Sequence, residues 1–383
     1  MIIGVPREVV TGERRVALIP ASVQRLVEAG LEVHIEAGAG SKSAWPDADY
    51  EGAGARVGSD PQEIFAGADL VVRVQPLGPH PGTGQHEVDM LREGGCLIGV
   101  LLPFTHPDLI QRLAARRITA FSLDLMPRLT LAQSMDVLSS MSTVAGYKSV
   151  LLAANALPKL FPMLTTAAGT LKPARVLVLG AGVAGLQAIA TARRLGAVVE
   201  AFDIRSAVKE QIKSLGARFV EEEADAEDAE DAGGYAKEQT QVQLERQRKL
   251  LSKHVAQADA VICTALVPGR RAPILLTEEQ VKGMRPGSVV IDVAAEQGGN
   301  CELTQPGQVV SLHGVAIHGP LNLPSSLPVH ASQMFSRNMT SYLMHLIEGG
   351  GLELNLDDEL TKGPLVTHEG AIVHDAVRSA VEK

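Results

Sequence analysis

Short apolar runs alternate with amphipathic stretches along most of this chain. In its first third, the runs have the length and the continuous apolar character of buried parallel strands. They lie at 2–6, 32–37, 70–75, 96–102 and 119–125. Between them, the segments 20–30 and 106–117 carry apolar residues at helical spacing. This alternation of strand and helix predicts an α/β domain built on a doubly wound sheet.

A second series of apolar runs follows, and it predicts a second sheet. Its members lie at 175–180, 198–203, 217–221, 258–266, 288–294 and 309–319. Longer amphipathic segments at 137–156 and 330–347 predict helices that lead from the first series to the second and back. We therefore predict two doubly wound, Rossmann-like α/β domains joined by two long helices, with a cleft between them. The first comprises residues 1–136 plus 330–383, and the second comprises 137–329.

Composition and charge narrow the classes of partner. A length of 383 residues suits two domains. The net charge of −9, much of it from the acidic run 221–231, disfavours a nucleic-acid partner. Three widely spaced cysteines favour a reducing compartment over a disulfide framework. No signal peptide is evident, and we expect no apolar stretch to reach the ~20 residues that span a bilayer. Any membrane role would then require a partner.

The segment RVLVLGAGVAGLQAIATARRLGA at 175–197 is typical of a strand, a tight turn and a helix with a glycine stop. Gly180, Gly182 and Gly185 match the GxGxxG pattern of dinucleotide-binding turns. The first glycine permits the turn, the second lets the backbone approach a pyrophosphate, and the third lets the helix pack closely. The helix that opens at Val183 would offer its N–H groups and its positive dipole end to the phosphates. This segment predicts a dinucleotide site.

Two further segments are candidates for the same site. Asp203 ends the next strand, where a carboxylate accepts hydrogen bonds from ribose hydroxyls and repels a 2′-phosphate, which favours NAD over NADP. Arg205 complicates this prediction because it could pair with a 2′-phosphate, and the alternative for Asp203 is a solvated strand end. Ile204 lies between them in the sequence. After a later strand, the candidates for nucleotide contact or for plain packing are Thr264, Ala265 and Leu266.

The segment MPRLTLAQSMDVLSSMS at 126–142 combines a guanidinium, an amide and a carboxylate in Arg128, Gln133 and Asp136. From the residues alone, these side chains form a ligand site, a surface salt bridge or a helix cap. Asp136 in particular precedes an apolar helix and suits the N-cap position. A second polar segment, GGYAKEQT at 233–240, sets two glycines before a lone tyrosine, which suits a mobile lid.

These motifs resemble those of the NAD(H)-binding component, the alpha or alpha-1 subunit, of proton-translocating NAD(P) transhydrogenase. They are similar, more distantly, to those of alanine dehydrogenase. The resemblance covers essentially the whole chain, and MPRLTLAQSMD and GGYAKE are its most specific elements. The glycine pattern alone occurs in many dehydrogenases.

The resemblance implies that hydride passes from NADH on this chain to NADP⁺ held by a separate partner domain. It also implies that Arg128, Gln133 and Asp136, with Ser139 beside them, surround the nicotinamide. By the same resemblance, Tyr235 after Gly234 closes over the bound nucleotide. The family forms a homodimer of this component and works with a membrane-spanning proton-channel subunit. The implied location is cytoplasmic, peripheral on the cytoplasmic face of the inner membrane through those partners.

An alanine dehydrogenase-like activity is the alternative. In that family a lysine and a histidine manage protons at positions where this chain has Gln75 and Leu102. Arg15, which would meet the substrate carboxylate, is retained. Because oxidation of an amino acid requires a proton-handling group, we expect this chain to lack the activity. A catalytically silent NAD sensor is a further alternative, and no metal site is expected.

Overall fold

The computed structural model describes residues 1–221, 241–267 and 271–382, with 241–244 described by their backbone alone. The chain divides into two compact units, each described here by itself. The first unit is Met1–Met141 with Ser325–Lys383, and the second unit is Ser142–Pro324. Both units are α/β, as the alternating pattern of the sequence predicted.

The strands are, in chain order, β1 Ile2–Val5, β2 Glu32–Glu36, β3 Arg56–Gly58, β4 Leu70–Val72, β5 Cys96–Gly99, β6 Thr119–Ser122, β7 Leu164–Thr166, β8 Gly169–Leu171, β9 Arg175–Leu179, β10 Val198–Phe202, β11 Arg218–Phe219, β12 Ala260–Cys263, β13 Val289–Asp292, β14 Val309–Leu312, β15 Val315–His318, β16 Ile347–Glu348, β17 Gly351–Leu352, β18 Leu365–His368 and β19 Ala371–Ile372.

The α-helices are α1 Pro20–Glu28, α2 Asp47–Gly52, α3 Pro61–Gly67, α4 Glu87–Met90, α5 Pro107–Ala115, α6 Val137–Ala156, α7 Val183–Arg194, α8 Lys209–Ser214, α9 Gln241–Val255, α10 Glu278–Lys282, α11 Pro328–Leu346, α12 Glu359–Lys362 and α13 Asp375–Val381. Short 3₁₀ turns occupy Ser41–Ser43, Leu123–Leu125, Thr130–Met135, Ser206–Val208, Ala295–Gln297 and Leu323–Ser326.

The sheet of the first unit has the order β19-β18-β6-β5-β4-β1-β2-β3. From β6 to β3 all neighbours are parallel, whereas β18 and β19 from the C-terminal segment add an antiparallel edge. In chain order the parallel strands follow the 3-2-1-4-5-6 arrangement of a doubly wound sheet. The strand order reverses between β1 and β4, so the carboxyl ends of these two strands form the switch point of this unit.

The sheet of the second unit repeats this arrangement as β11-β10-β9-β12-β13-β15-β14. Its switch point lies between β9 and β12, which pair in parallel. The run 309–319, predicted as one strand, is instead the antiparallel hairpin of β14 and β15. The chain reverses at His313 and Gly314, which have φ angles of 53° and 76°. A left-handed pair at that point ends the strand even though the residues around it are apolar.

The cores explain why the strands are continuously apolar. Alternate residues of β9 point to opposite faces of the sheet, so Val176 and Val178 pack in one buried cluster. Leu177 and Leu179 pack in another on the opposite face. Because helices cover both faces, a strand of this kind needs an apolar residue at every position.

Helix α6 corrects one expectation from the sequence. By length and composition it is long and apolar enough to cross a bilayer, whereas no such stretch was expected. Its packing identifies it as a core helix of the α/β fold. Val150 and Ala153 are fully buried in the second unit. A Cβ added at Gly146 would lie 2.1 Å from the carbonyl oxygen of Ala184, so the helix backbone packs directly on the start of α7.

Candidate functional site

The glycine turn connects β9 to α7 at the switch point of the second unit. Gly180 has a φ of +94°, and a Cβ there would lie 2.8 Å from the backbone nitrogen of Ala265. A Cβ at Gly185 would lie 1.9 Å from the carbonyl oxygen of Gly180 and 2.9 Å from Oγ1 of Thr264. The packing of the chain itself therefore demands glycine at both positions.

Gly182 differs from the other two glycines of the turn. Its φ of −72° and ψ of −168° are extended backbone that other residues also adopt. Apart from its chain neighbours, no described atom lies within 4 Å of a Cβ added there, and no side chain caps the helix that follows. Val183, the first residue of α7, is 39% exposed. The fold gives no reason for a glycine at this position, so the space above it is open to a ligand.

Asp203 is bound to the turn and to Arg205. Its Oδ2 accepts a hydrogen bond from the backbone nitrogen of Ala181 at 2.7 Å. Arg205 donates to Oδ1 through its backbone nitrogen and Nε, and to Oδ2 through Nη2, each at 2.9 Å. The Asp203 side chain is 7% exposed, so it is not the solvated strand end that the sequence left open. Ile204 is partly buried and packs against the core of the second unit.

The segment after β12 lies against the glycine turn. The backbone nitrogen of Thr264 donates to the carbonyl oxygen of Leu179 at 2.8 Å, and its Oγ1 donates to the carbonyl oxygen of Gly180 at 2.8 Å. Thr264 is buried, Ala265 is half-buried and Leu266 is 38% exposed. Packing thus holds the first two residues, while Leu266 presents an apolar side chain to solvent.

Two buried polar residues next to this segment escaped the sequence analysis. Asn300 is fully buried and forms hydrogen bonds with both backbone polar groups of Ala265. Asp292 is also fully buried and accepts from the backbone nitrogen of Cys301 at 2.9 Å. Their signal in the sequence is weak, because an aspartate at a strand end and an asparagine after two glycines are equally typical of an exposed loop.

The polar segment 126–142 belongs to the first unit and ends in α6. Asp136 caps this helix: its Oδ1 accepts from the backbone nitrogen of Ser139 at 2.9 Å, and its Oδ2 accepts from Oγ of Ser139 at 2.5 Å. The helix-cap interpretation of Asp136 is therefore confirmed, and the structure brings these two predicted residues together. Arg128 and Gln133 are exposed. The backbone beside Gln133 is held by an asparagine of α11, whose Nδ2 donates to the carbonyl oxygen of Ser134 at 2.8 Å.

Gly234 and Tyr235, together with most of the acidic run 221–231, lie outside the described residues. Their predicted role in closing over the nucleotide stays a prediction.

The switch point of the first unit is filled by its own charges. Arg15 donates to both carboxylate oxygens of Glu13, at 2.8 and 2.6 Å, and Nε2 of Gln75 donates to the same carboxylate at 2.7 Å. Next to them, the fully buried Arg73 pairs with the carboxylate of Glu8 at 3.1 Å and with a second carboxylate, that of the first residue of α4, at 2.5 Å. Burial raises the pKa of Glu8 to about 7, although the positive charge of Arg73 acts in the opposite direction.

Comparison with known proteins places both units in one family. Residues 4–145 match the family described as "Alanine dehydrogenase/PNT, N-terminal domain", and residues 149–375 match "Alanine dehydrogenase/PNT, C-terminal domain". The chain is 46% identical over 381 residues to the first part of NAD(P) transhydrogenase subunit alpha from Rhodospirillum rubrum. The match covers 98% of this chain and 99% of that protein.

Solved structures agree with these matches. A transhydrogenase structure from Sinorhizobium meliloti superposes with a TM-score of 0.84 at 41% identity and covers 98% of this chain and 100% of that one. An L-alanine dehydrogenase structure superposes with a TM-score of 0.82 at 30% identity, over 100% of this chain and 99% of that one. The predicted resemblance, with transhydrogenase nearer than alanine dehydrogenase, is confirmed. The chain belongs to the alanine dehydrogenase/PNT family of oxidoreductases.

Proposed function

We propose that this chain is the NAD(H)-binding component of a proton-translocating NAD(P) transhydrogenase. In this role it holds NADH in position for hydride transfer to NADP⁺ on a partner subunit. The observation that carries the proposal is the open space above Gly182, in a turn whose other two glycines are fixed by packing. Relatives named as transhydrogenase alpha subunits, matched over their full length, support it.

The dinucleotide, when bound, supplies the hydride, and this chain supplies position. The backbone at Gly182 and Val183 lies at the start of a helix, where free N–H groups and the positive dipole end bind a pyrophosphate. Asp203 next to the turn would accept hydrogen bonds from the ribose hydroxyls. The three contacts with Arg205 and the contact with Ala181 fix the orientation of its carboxylate.

The pairing of Asp203 with Arg205 supports a preference for NAD over NADP. A free arginine at this point would attract a 2′-phosphate. Here its guanidinium is 14% exposed and is compensated by the carboxylate, so the pair offers a phosphate no net positive charge. A 2′-phosphate would also meet the carboxylate of Asp203 directly, which is unfavourable.

Direct hydride transfer between two nicotinamides requires no general acid or base, but it requires the two reacting carbons at about 3–3.5 Å. We propose that Arg128 and Gln133, which are exposed, hold the nicotinamide carboxamide. Asp136 and Ser139 would support them by fixing the start of α6. Tyr235 and Gly234 would close over the nucleotide.

The alanine dehydrogenase alternative is disfavoured by the switch point of the first unit. Both donors that could meet a substrate carboxylate, Arg15 and Gln75, are bound to Glu13. At the next strand end Leu102 stands where that family has its histidine, and an aliphatic side chain carries no proton. An NAD sensor without catalytic activity is the remaining alternative, and only an activity measurement separates it from the proposal.

The proposal includes partners and a location. NADP(H) would be held by the partner subunit, and a membrane-spanning subunit would carry the protons. This chain would then lie on the cytoplasmic face of the inner membrane. We also propose a homodimer, because the hairpin of β7 and β8 is exposed throughout and carries Leu164 and Leu171, which are 43% and 54% exposed. An isolated two-stranded hairpin is marginal in water and is stabilised by a partner surface.

The proposal is tested by mixing the chain with an NADP(H)-loaded transhydrogenase partner domain and following reduction of an NAD analogue by NADH. A parallel reaction contains NAD⁺ and L-alanine without the partner. We expect turnover in the first reaction alone, and turnover of alanine would reverse the ranking. A Gln133→Asn variant should lower the transfer rate with little change in NADH affinity. A loss confined to affinity would contradict the positioning role of Gln133.

A further inference from the structure

Asn300 connects the segment after β12 to the rest of the second unit. Its Oδ1 accepts from the backbone nitrogen of Ala265 at 2.9 Å. Its Nδ2 donates to the carbonyl oxygens of Ala265 and Pro273, both at 2.8 Å. The residue is fully buried, so no water competes for these three hydrogen bonds. A neutral amide is suited to this place because it combines one acceptor with two donors.

Asn300 is itself held in place from the other side. Its carbonyl oxygen accepts from the backbone nitrogens of Leu275 and Leu276 at 2.8 and 3.0 Å. The next residue, Cys301, donates its backbone N–H to the buried carboxylate of Asp292 at the end of β13. Asn300 therefore transmits the position of a central strand end to the segment after β12.

Ala265 in turn lies directly against the glycine turn. The Cβ that Gly180 lacks would lie 2.8 Å from the nitrogen and 3.0 Å from the Cα of Ala265. A displacement of Ala265 would change the space available to the first glycine and the position of Leu266, the exposed residue that follows. The amide of Asn300 thus controls the separation of the two segments that border the switch point.

We propose that Asn300 is a positioning residue for NAD(H): it does not touch the nucleotide, but it holds Ala265 against Gly180 and thereby sets NADH affinity. This inference rests on the proposed function of the glycine turn and extends it to a residue outside the sequence motif. The wrong side chain would have a specific effect. An aspartate would turn a negative charge toward two carbonyl oxygens, and only its protonated form could donate to one of them.

The test compares NADH affinity of the unmodified chain and of Asn300→Asp by fluorescence titration at about pH 6 and about pH 9. We expect Asn300→Asp to bind NADH at least about tenfold more weakly at the higher pH, which is about 1.4 kcal/mol, and to recover most of that loss at the lower pH. Recovery with protonation is a readout that a general loss of packing would not produce. Asn355→Asp, at an exposed position of the first unit, controls for the added carboxylate.

A second variant guards against a failure of Asn300→Asp to fold. Asn300→Ser is neutral, and its short hydroxyl cannot reach both carbonyl oxygens, so we expect weaker NADH binding without recovery at low pH. Affinities of both variants equal to that of the unmodified chain at both pH values would overturn the role of Asn300 while leaving the proposed function intact. No NADH binding by the unmodified chain would overturn the proposed function itself, and with it the role of Asn300.

Discussion

The two units of this chain share a sheet topology but differ at their switch points. In the second unit the strand ends are followed by glycines and small residues, and a space above Gly182 is open. In the first unit the equivalent strand ends are bordered by Arg15, Gln75 and Arg73, each bound to a carboxylate of the same unit. The same fold thus supports two different outcomes. A switch point binds a ligand when its backbone is bare, and it joins the structural core when its side chains satisfy one another.

The difference between the units predicts that the charges of the first unit matter for stability. Arg73→Met would leave Glu8 and Glu87 buried without their cation, and we expect a loss of about 3–5 kcal/mol in the free energy of unfolding. Denaturant unfolding measures this loss. Arg92→Met is the matched control, because Arg92 and its partner Asp69 have side chains that are 55% and 34% exposed, and it should cost under about 1 kcal/mol. Equal losses for the two variants would show that burial of the network is unimportant.

In the second unit, Gly185→Ala should damage both stability and binding. The new Cβ would meet the carbonyl oxygen of Gly180 at 1.9 Å, so the turn must open. We expect a loss of about 1–3 kcal/mol in the free energy of unfolding, together with loss of NADH binding. Thermal unfolding and a binding titration on the same preparation check this. A variant as stable as the unmodified chain would mean that the close approach of helix and strand is not required.

The ion pair at the end of β10 should set nucleotide preference. Asp203→Asn would keep an acceptor for the turn but release the charge of Arg205. NADH affinity should then fall by about tenfold and NADPH affinity should rise, because the guanidinium becomes available to a 2′-phosphate. Competition binding with the two nucleotides measures the ratio. Adding Arg205→Met should abolish the gain for NADPH, and a gain that survives would assign it to another residue.

Glu8 should give the first unit a weak dependence of stability on pH. Its pKa is raised by burial to about 7 from an ordinary value of 4.5, so across that window the folded chain binds a proton that the unfolded chain releases. The free energy of unfolding should therefore decrease as pH rises from 4.5 to about 7. Glu8→Gln should flatten this region of the profile, whereas an unchanged slope would assign it to other groups.

The sequence was informative where the physical cause is local. Continuous apolar runs predicted the parallel strands, and GxGxxG predicted a turn in which two glycines are required by packing. The hairpin at His313 and Gly314 was missed because an apolar run conceals a reversal that depends on two backbone angles. Long-range contacts were also out of reach: Gln75 meets Glu13 across 62 positions, and the amide of Asn300 meets its backbone partner after β12 across 35. No periodicity in the sequence reports which distant polar groups satisfy each other.

The central claim is that one nucleotide binds per chain, at the glycine turn of the second unit. Calorimetric titration of NADH into the unmodified chain and into Gly182→Ala tests it directly. Because no described atom beyond the chain neighbours lies within 4 Å of the new Cβ, the variant should unfold like the unmodified chain. We expect one NADH per unmodified chain and an affinity at least about tenfold weaker in the variant. Two equivalents per chain, or an affinity unchanged by Gly182→Ala, would contradict the account.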